Sequence, residues 1–244
     1  MIELQSVSKR FGASAVGPID LSIPERARIA LVGPSGSGKS TVLRLIVGLI
    51  EPDDGVIKVF ATPLTAASAI DLRLQMGYVI QEGGLFPHMH ANANVTLVAR
   101  HLGWPAARIA QRLEYLRDLV QLDRAVLERY PLQLSGGERQ RVAMMRALFL
   151  DPPLLLMDEP MGALDPLIRH SLEQDLRRIF DELNKTVVLV THDLEQAALL
   201  AHEIVVLRAG HIEQRGSWSD LERAPCNHFV RDFVAAQMRV PLQG

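Results

Sequence analysis

Gly33-Pro34-Ser35-Gly36-Ser37-Gly38-Lys39-Ser40 has the spacing G-x-x-x-x-G-K-[ST]. The chemistry this spacing serves is phosphate binding. Glycines let successive backbone N–H groups turn toward phosphate oxygens. A helix opening after the loop, at Thr41, adds partial positive charge. Lys39 can reach the β- and γ-phosphates of a nucleotide, and the Ser40 hydroxyl can hold Mg²⁺. The flanks agree with this. Arg28-Ile29-Ala30-Leu31-Val32 reads as a buried strand, and Thr41 to Ile46 as the start of a helix. A Gly/Ser surface turn would need neither flank.

Two acids follow a second apolar run, Leu154-Leu155-Leu156-Met157-Asp158-Glu159. After a phosphate loop, an acid at such a strand end orients Mg²⁺ and its waters, a role that Asp158 fits. Glu159 would then lie beside the γ-phosphate and polarise an attacking water. The competing reading is an acid pair that only caps the next turn. Leu134-Ser135-Gly136-Gly137-Glu138 precedes another helical stretch from Arg139. Ser135 and Glu138 form a capping box. Gly136 and Gly137 are not needed for the cap and would leave N–H groups open at a positive helix end. A chain with two phosphate-binding helix ends needs either two ligands or a partner chain. Gln81 and His192 each sit just past an apolar run, where ligands of open α/β sheets bind. His88 and His90 lack thiols or carboxylates nearby, so they do not read as a metal site.

These residues must be carried by elements, and the sequence places most of them. Residues 1 to 32 read as short strands joined by turns. Gly55 to Phe60 and Met76 to Ile80 are further strand-like runs. From about 88 to 150 the period becomes helical, with Ile109, Leu113, Leu116, Leu119 and Val120 at spacings of three and four. Strands and helices then alternate. Leu154 to Met157, Thr186 to Thr191 and Ile204 to Leu207 are strands. Leu167 to Leu183 is a helix with Leu172, Leu176, Ile179 and Leu183 on one face, and Leu194 to Ala201 is another. This order implies an α/β fold with a parallel core, into which the helical stretch is inserted. The chain has 244 residues, is 48% apolar and carries a net charge of −2, with no basic block. Nucleic acid is therefore not an expected partner. One cysteine, Cys226, excludes an internal disulfide framework. No charged-then-apolar leader and no run of about eighteen apolar residues is visible, so the chain is not expected to span a membrane alone.

With the phosphate loop, Gln81, Leu134 to Glu138, Asp158-Glu159, Asp165 and His192 in this order, the sequence resembles the nucleotide-binding subunit of an ABC transporter. The resemblance implies a phosphate-loop NTPase core with an N-terminal antiparallel β subdomain and an inserted α-helical subdomain. Residues 1–220 would form the nucleotide-binding domain, with the helical insertion at about 88–150, and 221–244 a short C-terminal helical extension. Gly33, Pro34, Ser35, Gly36, Ser37, Gly38, Lys39, Ser40 and Thr41 would be the Walker A loop. Phe11 would stack on adenine. Ser40, Gln81 and Asp158 would hold Mg²⁺. Glu159 would be the catalytic base, with His192 the switch histidine and Gln81 the Q-loop residue. Ser135, Gly136, Gly137 and Glu138 would be the signature that faces the partner's ATP. Gly162 to Asp165 would be the D-loop.

The resemblance further implies ATP and Mg²⁺ as cofactors and a head-to-tail pair of two copies. It implies two integral membrane permease subunits, a substrate-binding protein acting indirectly, and a peripheral place on the cytoplasmic face of the inner membrane. Gln81 to Met89 and Leu102-Gly103-Trp104 are similar to importers of osmoprotectants such as glycine betaine and choline. ATPases for another small polar solute, such as an amino acid, share much of this pattern. Soluble ABC ATPases usually carry a long coiled-coil insertion or a tandem second cassette, and neither is seen. The sequence given leaves no room after Phe233 for the paired C-terminal regulatory modules of some osmoprotectant ATPases, so osmosensing through this subunit is not expected.

Overall fold

On β1 (Ile2–Phe11) alternation sets the inner face: Ile2 and Leu4 are buried, Glu3 and Gln5 exposed. Strand β2 (Ser14–Ile23) runs antiparallel to it, with Ile2 opposite Ile23 and Leu4 opposite Leu21. The alternation breaks at Gln5-Ser6, and there the register shifts. Ser6 takes φ 49°, and its N–H donates to Asp20 Oδ1 at 2.7 Å. The extra residue returns Val7 to the buried face. Two ten-residue strands therefore stand where the sequence suggested shorter pieces, and β1 runs on through the bulge at Ser6. The computed structural model describes residues 1–12, 14–81, 83–162 and 164–237. These form two compact units, one of Met1–Leu72 with the chain from Lys185 onward, the other of Arg73–Asn184.

The first unit continues with β3 (Arg28–Val32) and α1 (Lys39–Val47), which starts two residues before Thr41. Strand β4 (Asp54–Val59) pairs with β1, and β5 (Thr62–Pro63) pairs with β4. The result is an antiparallel sheet in the order β2-β1-β4-β5. A short helix, α2 (Ala69–Arg73), ends this part.

The second unit is built on two parallel strands, β6 (Met76–Val79) and β7 (Leu154–Asp158), with Met76 opposite Leu154 and Val79 opposite Met157. Helices α3 (Ala91–His101), α4 (Ala106–Leu119) and α5 (Gly136–Leu148) lie between them in sequence, and α6 (Pro166–Leu183) follows. Leu113, Leu116 and Leu119 are the buried face of α4. On α6 the buried set is Leu172, Leu176, Ile179 and Phe180; Leu183 is only half-buried, beside a helix end where Asn184 turns left-handed. At Gly77 an added Cβ would lie 2.4 Å from the Ala147 carbonyl, so the glycine lets α5 press against β6. Asn94 is fully buried on α3. Its Oδ1 accepts from the Phe86 N–H at 2.7 Å, and its Nδ2 donates to Phe86 and Met89 carbonyls at 3.1 and 2.9 Å. One side chain thus fixes the segment that leads from β6 into α3.

The chain then returns to the first unit with β8 (Thr186–Val190), α7 (Leu194–Leu200), β9 (Glu203–Arg208), β10 (His211–Gly216), α8 (Trp218–Arg223) and α9 (His228–Gln237). Strand β3 lies between β8 and β9, parallel to both, and β10 runs antiparallel to β9. Ile29 to Val32 and Val187 to Val190 are buried throughout, as parallel strands covered on both faces must be. Ala30, Val32, Ile204 and Val206 pack with Leu194 and Ala197 of α7, Leu221 of α8, and Val230 and Val234 of α9. The segment expected as a C-terminal extension is thus tied into this core as far as Gln237; residues 238–244 lie outside the described residues. Burial of each valine stabilises α9 by up to about 1.5–3 kcal/mol.

Candidate functional site

In the first unit the phosphate loop leaves β3 at Gly33. The backbone there has φ 147°, and a Cβ would stand 2.1 Å from the Leu207 carbonyl oxygen of β9. Glycine alone allows the loop to leave the sheet so close to its neighbour. Lys39 is 6% exposed and lies across the loop, its ammonium donating to the carbonyls of Gly33 at 2.8 Å and Pro34 at 2.9 Å. The loop is tied from both sides: Ser37 N–H donates to the Pro34 carbonyl at 3.2 Å, and Gly210 N–H to the Ser37 carbonyl at 3.1 Å. Ser37 is 3% exposed, and its Oγ has no hydrogen-bond partner among the described residues. A buried hydroxyl left unpaired costs about 1–3 kcal/mol. A phosphate oxygen would complete it. Gly38 gives α1 no capping side chain, and the first turn holds no acid, so neither offsets the positive helix end.

His192 is exposed just past β8. The strand pairing sets its place. Val190 is opposite Leu31, and the Thr191 N–H still donates to the Leu31 carbonyl at 3.2 Å. His192 and Gly33 therefore leave adjacent parallel strands at the same edge, the ligand edge of such sheets. Phe11, at the end of β1, is 48% exposed. The residues before it are pinned by Asp53, which accepts from Lys9 Nζ and from the Arg10 N–H, each at 2.7 Å. The Lys9 ammonium, then the Arg10 N–H, hold the Asp53 carboxyl below its ordinary value.

The second unit carries the remaining candidates. Every residue of β7 is buried, and Asp158 at its end is 4% exposed. Glu159 follows with φ 43°, a left-handed backbone that costs a residue with a Cβ about 1–3 kcal/mol. Its carbonyl accepts from the Gly162 N–H at 3.2 Å, closing a turn. Asp165 caps α6, its Oδ1 accepting from Leu167 and Ile168 N–H groups, both at 3.1 Å. Ala163, between them, lies outside the described residues.

Ser135 and Glu138 form the expected capping box, with bonds of 3.2 and 2.7 Å. The two glycines of the signature have a further reason that spacing did not show. A Cβ on Gly136 would come within 2.7 Å of Leu164, and one on Gly137 within 2.8 Å of Ile168. They let the start of α6 pack against the start of α5. In consequence Gly136, Arg139 and Glu159 line one cleft of about 430 Å³. Gln81 is exposed after β6. Glu82 lies outside the described residues, and Gly83 and Gly84 follow with φ 77° and 53°.

Residues 16–162, more than half of the chain, match the family described as ABC transporter. The chain belongs to the ABC transporter family. It is 44% identical over 97% of its length to the Glycine betaine/carnitine/choline transport ATP-binding protein OpuCA of Bacillus subtilis (strain 168), spanning 63% of that protein. It is 45% identical over 96% of its length to the Glycine betaine uptake system ATP-binding protein YehX of Escherichia coli (strain K12), spanning 76% of it. A solved dimeric structure of an ATP-binding cassette in a post-hydrolysis state, bound to ADP and Pi, covers 89% of the chain and 98% of the solved one, with a TM-score of 0.79 and 32% identity.

Within this ABC transporter chain the structure adds residues that sequence reasoning passed over. Arg146 of α5 donates to the carbonyls of Gly84 at 2.8 Å and Gly83 at 2.9 Å, so the signature helix holds the backbone just after Gln81. Burial lowers the pKa of its guanidinium. Gln140, one turn after the signature, is 5% exposed, and its Nε2 is unpartnered among the described residues. Arg146 has no local signal, since it acts on a segment far away in sequence. His90 packs on Tyr130, with ring centroids 3.9 Å apart, and no metal-holding cluster of His, Cys, Asp or Glu occurs among the described residues.

Proposed function

We propose that this chain is the ATP-hydrolysing subunit of a membrane ABC importer for a small solute, a quaternary amine osmoprotectant. The observation that carries the nucleotide half is the Gly33–Ser40 loop. Lys39 lies across it, and Ser37 Oγ is buried without a partner among the described residues. A chain of phosphates meets both needs: oxygens that draw the Lys39 ammonium from the two carbonyls, and an acceptor for Ser37. Phe11 offers a ring face for the adenine. The importer half and the solute rest on the names of the relatives, over almost the whole chain.

In this reading Ser40, Asp158 and Gln81 would hold Mg²⁺, all oxygen donors suited to a hard cation. The metal would screen charge on the β- and γ-phosphates. Glu159 accepts a proton from the attacking water, and its strained backbone aims the carboxylate. His192 donates a hydrogen bond to the γ-phosphate. Ser135 to Glu138 complete the site of a second copy, so that binding ATP closes a head-to-tail pair. Among the described residues no helix is long and apolar enough to cross a membrane. By analogy with those relatives, closure of the pair would act on two permease subunits at the cytoplasmic face of the membrane, with a substrate-binding protein delivering the solute on the other side.

The test is Glu159→Gln. Loss of a general base costs about 10²- to 10⁴-fold. Steady-state hydrolysis should fall by that much, ATP binding should persist, and an ATP-bound dimer should accumulate on size-exclusion chromatography. Hydrolysis within a few-fold of the parent chain would remove Glu159 from this role.

A further inference from the structure

The last described helix reaches back to the histidine loop. On α9, Val230 and Val234 are buried against Leu194 and Ala197 of α7. Gln237 follows at the next helical spacing, three residues after Val234, and lies on the same face. Its Oε1 accepts from the Leu194 N–H at 2.7 Å, and its Nε2 donates to the His192 carbonyl at 2.9 Å. One carboxamide thus bridges the backbone on both sides of Asp193, with acceptor on donor and donor on acceptor. Two nearer bonds also shape this loop. Thr191 Oγ1 accepts from the Asp193 N–H at 3.1 Å, and Asp193 Oδ1 accepts from the Gln196 N–H at 3.1 Å. Thr191 is in turn fixed to β3 through the Leu31 carbonyl. None of these local bonds reaches the His192 carbonyl. Gln237 does, and the orientation of that peptide sets the direction in which the imidazole leaves the backbone.

We propose that Gln237 is a positioning residue for His192, so that the last turn of α9 sets the rate of hydrolysis. The proposal rests on the reading of His192 as the group that meets the γ-phosphate. Leucine at this position keeps a comparable bulk, one bond shorter than glutamine, and makes neither bond. Asparagine keeps the amide and is one methylene too short to span both partners. Neither change touches the buried valines that hold α9 in place.

The experiment uses the full chain in complex with the membrane subunits that co-purify with it. Gln237→Leu, Gln237→Asn, His192→Ala and the double variant Gln237→Leu/His192→Ala are compared for kcat, KM for ATP and melting temperature. Misplacing a group by about 1 Å costs up to about 100-fold, so kcat in both Gln237 variants should fall by roughly ten- to a hundredfold. KM for ATP should stay within about twofold, since no phosphate contact is lost. The double variant should be no slower than His192→Ala, because Gln237 acts only through His192. A kcat near the parent's in the Gln237 variants, beside an inactive His192→Ala, overturns the proposal and leaves the His192 reading standing. Additive losses in the double variant also overturn it. Full activity in His192→Ala removes the reading and the proposal together.

Discussion

Replacing Arg146 by methionine should cost the chain about 1–3 kcal/mol and loosen the segment after Gln81. The guanidinium makes two charge-assisted bonds, 2.8 Å to the Gly84 carbonyl and 2.9 Å to that of Gly83. Bonds to a charged donor typically contribute about 1.5–3 kcal/mol each. Two effects reduce the net. Burial lowers the Arg146 pKa, the sign of a desolvation cost that methionine does not carry. Gly84 is exposed, so its carbonyl finds water once the arginine is gone. Gly83 is buried, and its carbonyl is left unpaired. One orphaned buried carbonyl costs about 1–3 kcal/mol, which sets the estimate. In a chain of this size that is a fall in Tm of roughly 2–12 °C. Urea titration gives the free energy, and amide exchange locates it: residues 83 to 86 should exchange faster, while α1 is unchanged. Arg146→Lys, which keeps the charge and can reach one carbonyl, should lose about half as much. A loss below about 0.5 kcal/mol in Arg146→Met, or a lysine variant as weak as the methionine one, would refute the clamp.

Ser37→Ala should separate binding from stability. Removing a buried, unpaired hydroxyl leaves Tm unchanged or raises it, while the missing bond to phosphate weakens ATP binding by about fivefold, the equivalent of about 1 kcal/mol; calorimetric titration with ATP and a thermal melt decide it. Asp53→Asn should change acid stability. Lys9 and the Arg10 N–H hold the Asp53 carboxyl below its ordinary value, so its contribution is present above that value and is lost as the pH falls through the lower folded one. The parent should lose an increment of Tm on acidification below about pH 4 that the asparagine variant has already lost at pH 7, and parallel melting curves in the two proteins across that range would contradict it.

What could be read from the sequence was what acts within a few residues. The G-x-x-x-x-G-K-[ST] loop, the Ser135–Glu138 capping box and the buried parallel strands all depend on spacing within one segment, and spacing is written in the chain. The order of the motifs then gave the resemblance, and with it the antiparallel sheet and the inserted helices. The bulge at Ser6 was not read, because Glu3 to Val7 passes for simple alternation and only the register against the partner strand reveals the extra residue.

Other features waited for tertiary structure. Arg146 is 63 residues from Gly83, and Gln237 is 45 from His192. Both bind backbone groups, which are alike at every position, so composition carries no mark of the target. Gly136 and Gly137 looked like a ligand surface and proved also to be where two helices touch, because the space a glycine leaves is defined by what fills it. The sequence by itself determined which residues have phosphate chemistry and the local turns that shape them. The fold decided which strand lies beside β3, and so that His192 leaves the sheet next to Gly33. It also decided which distant side chains hold those turns still, since that depends on where chain segments far apart in sequence are brought to meet.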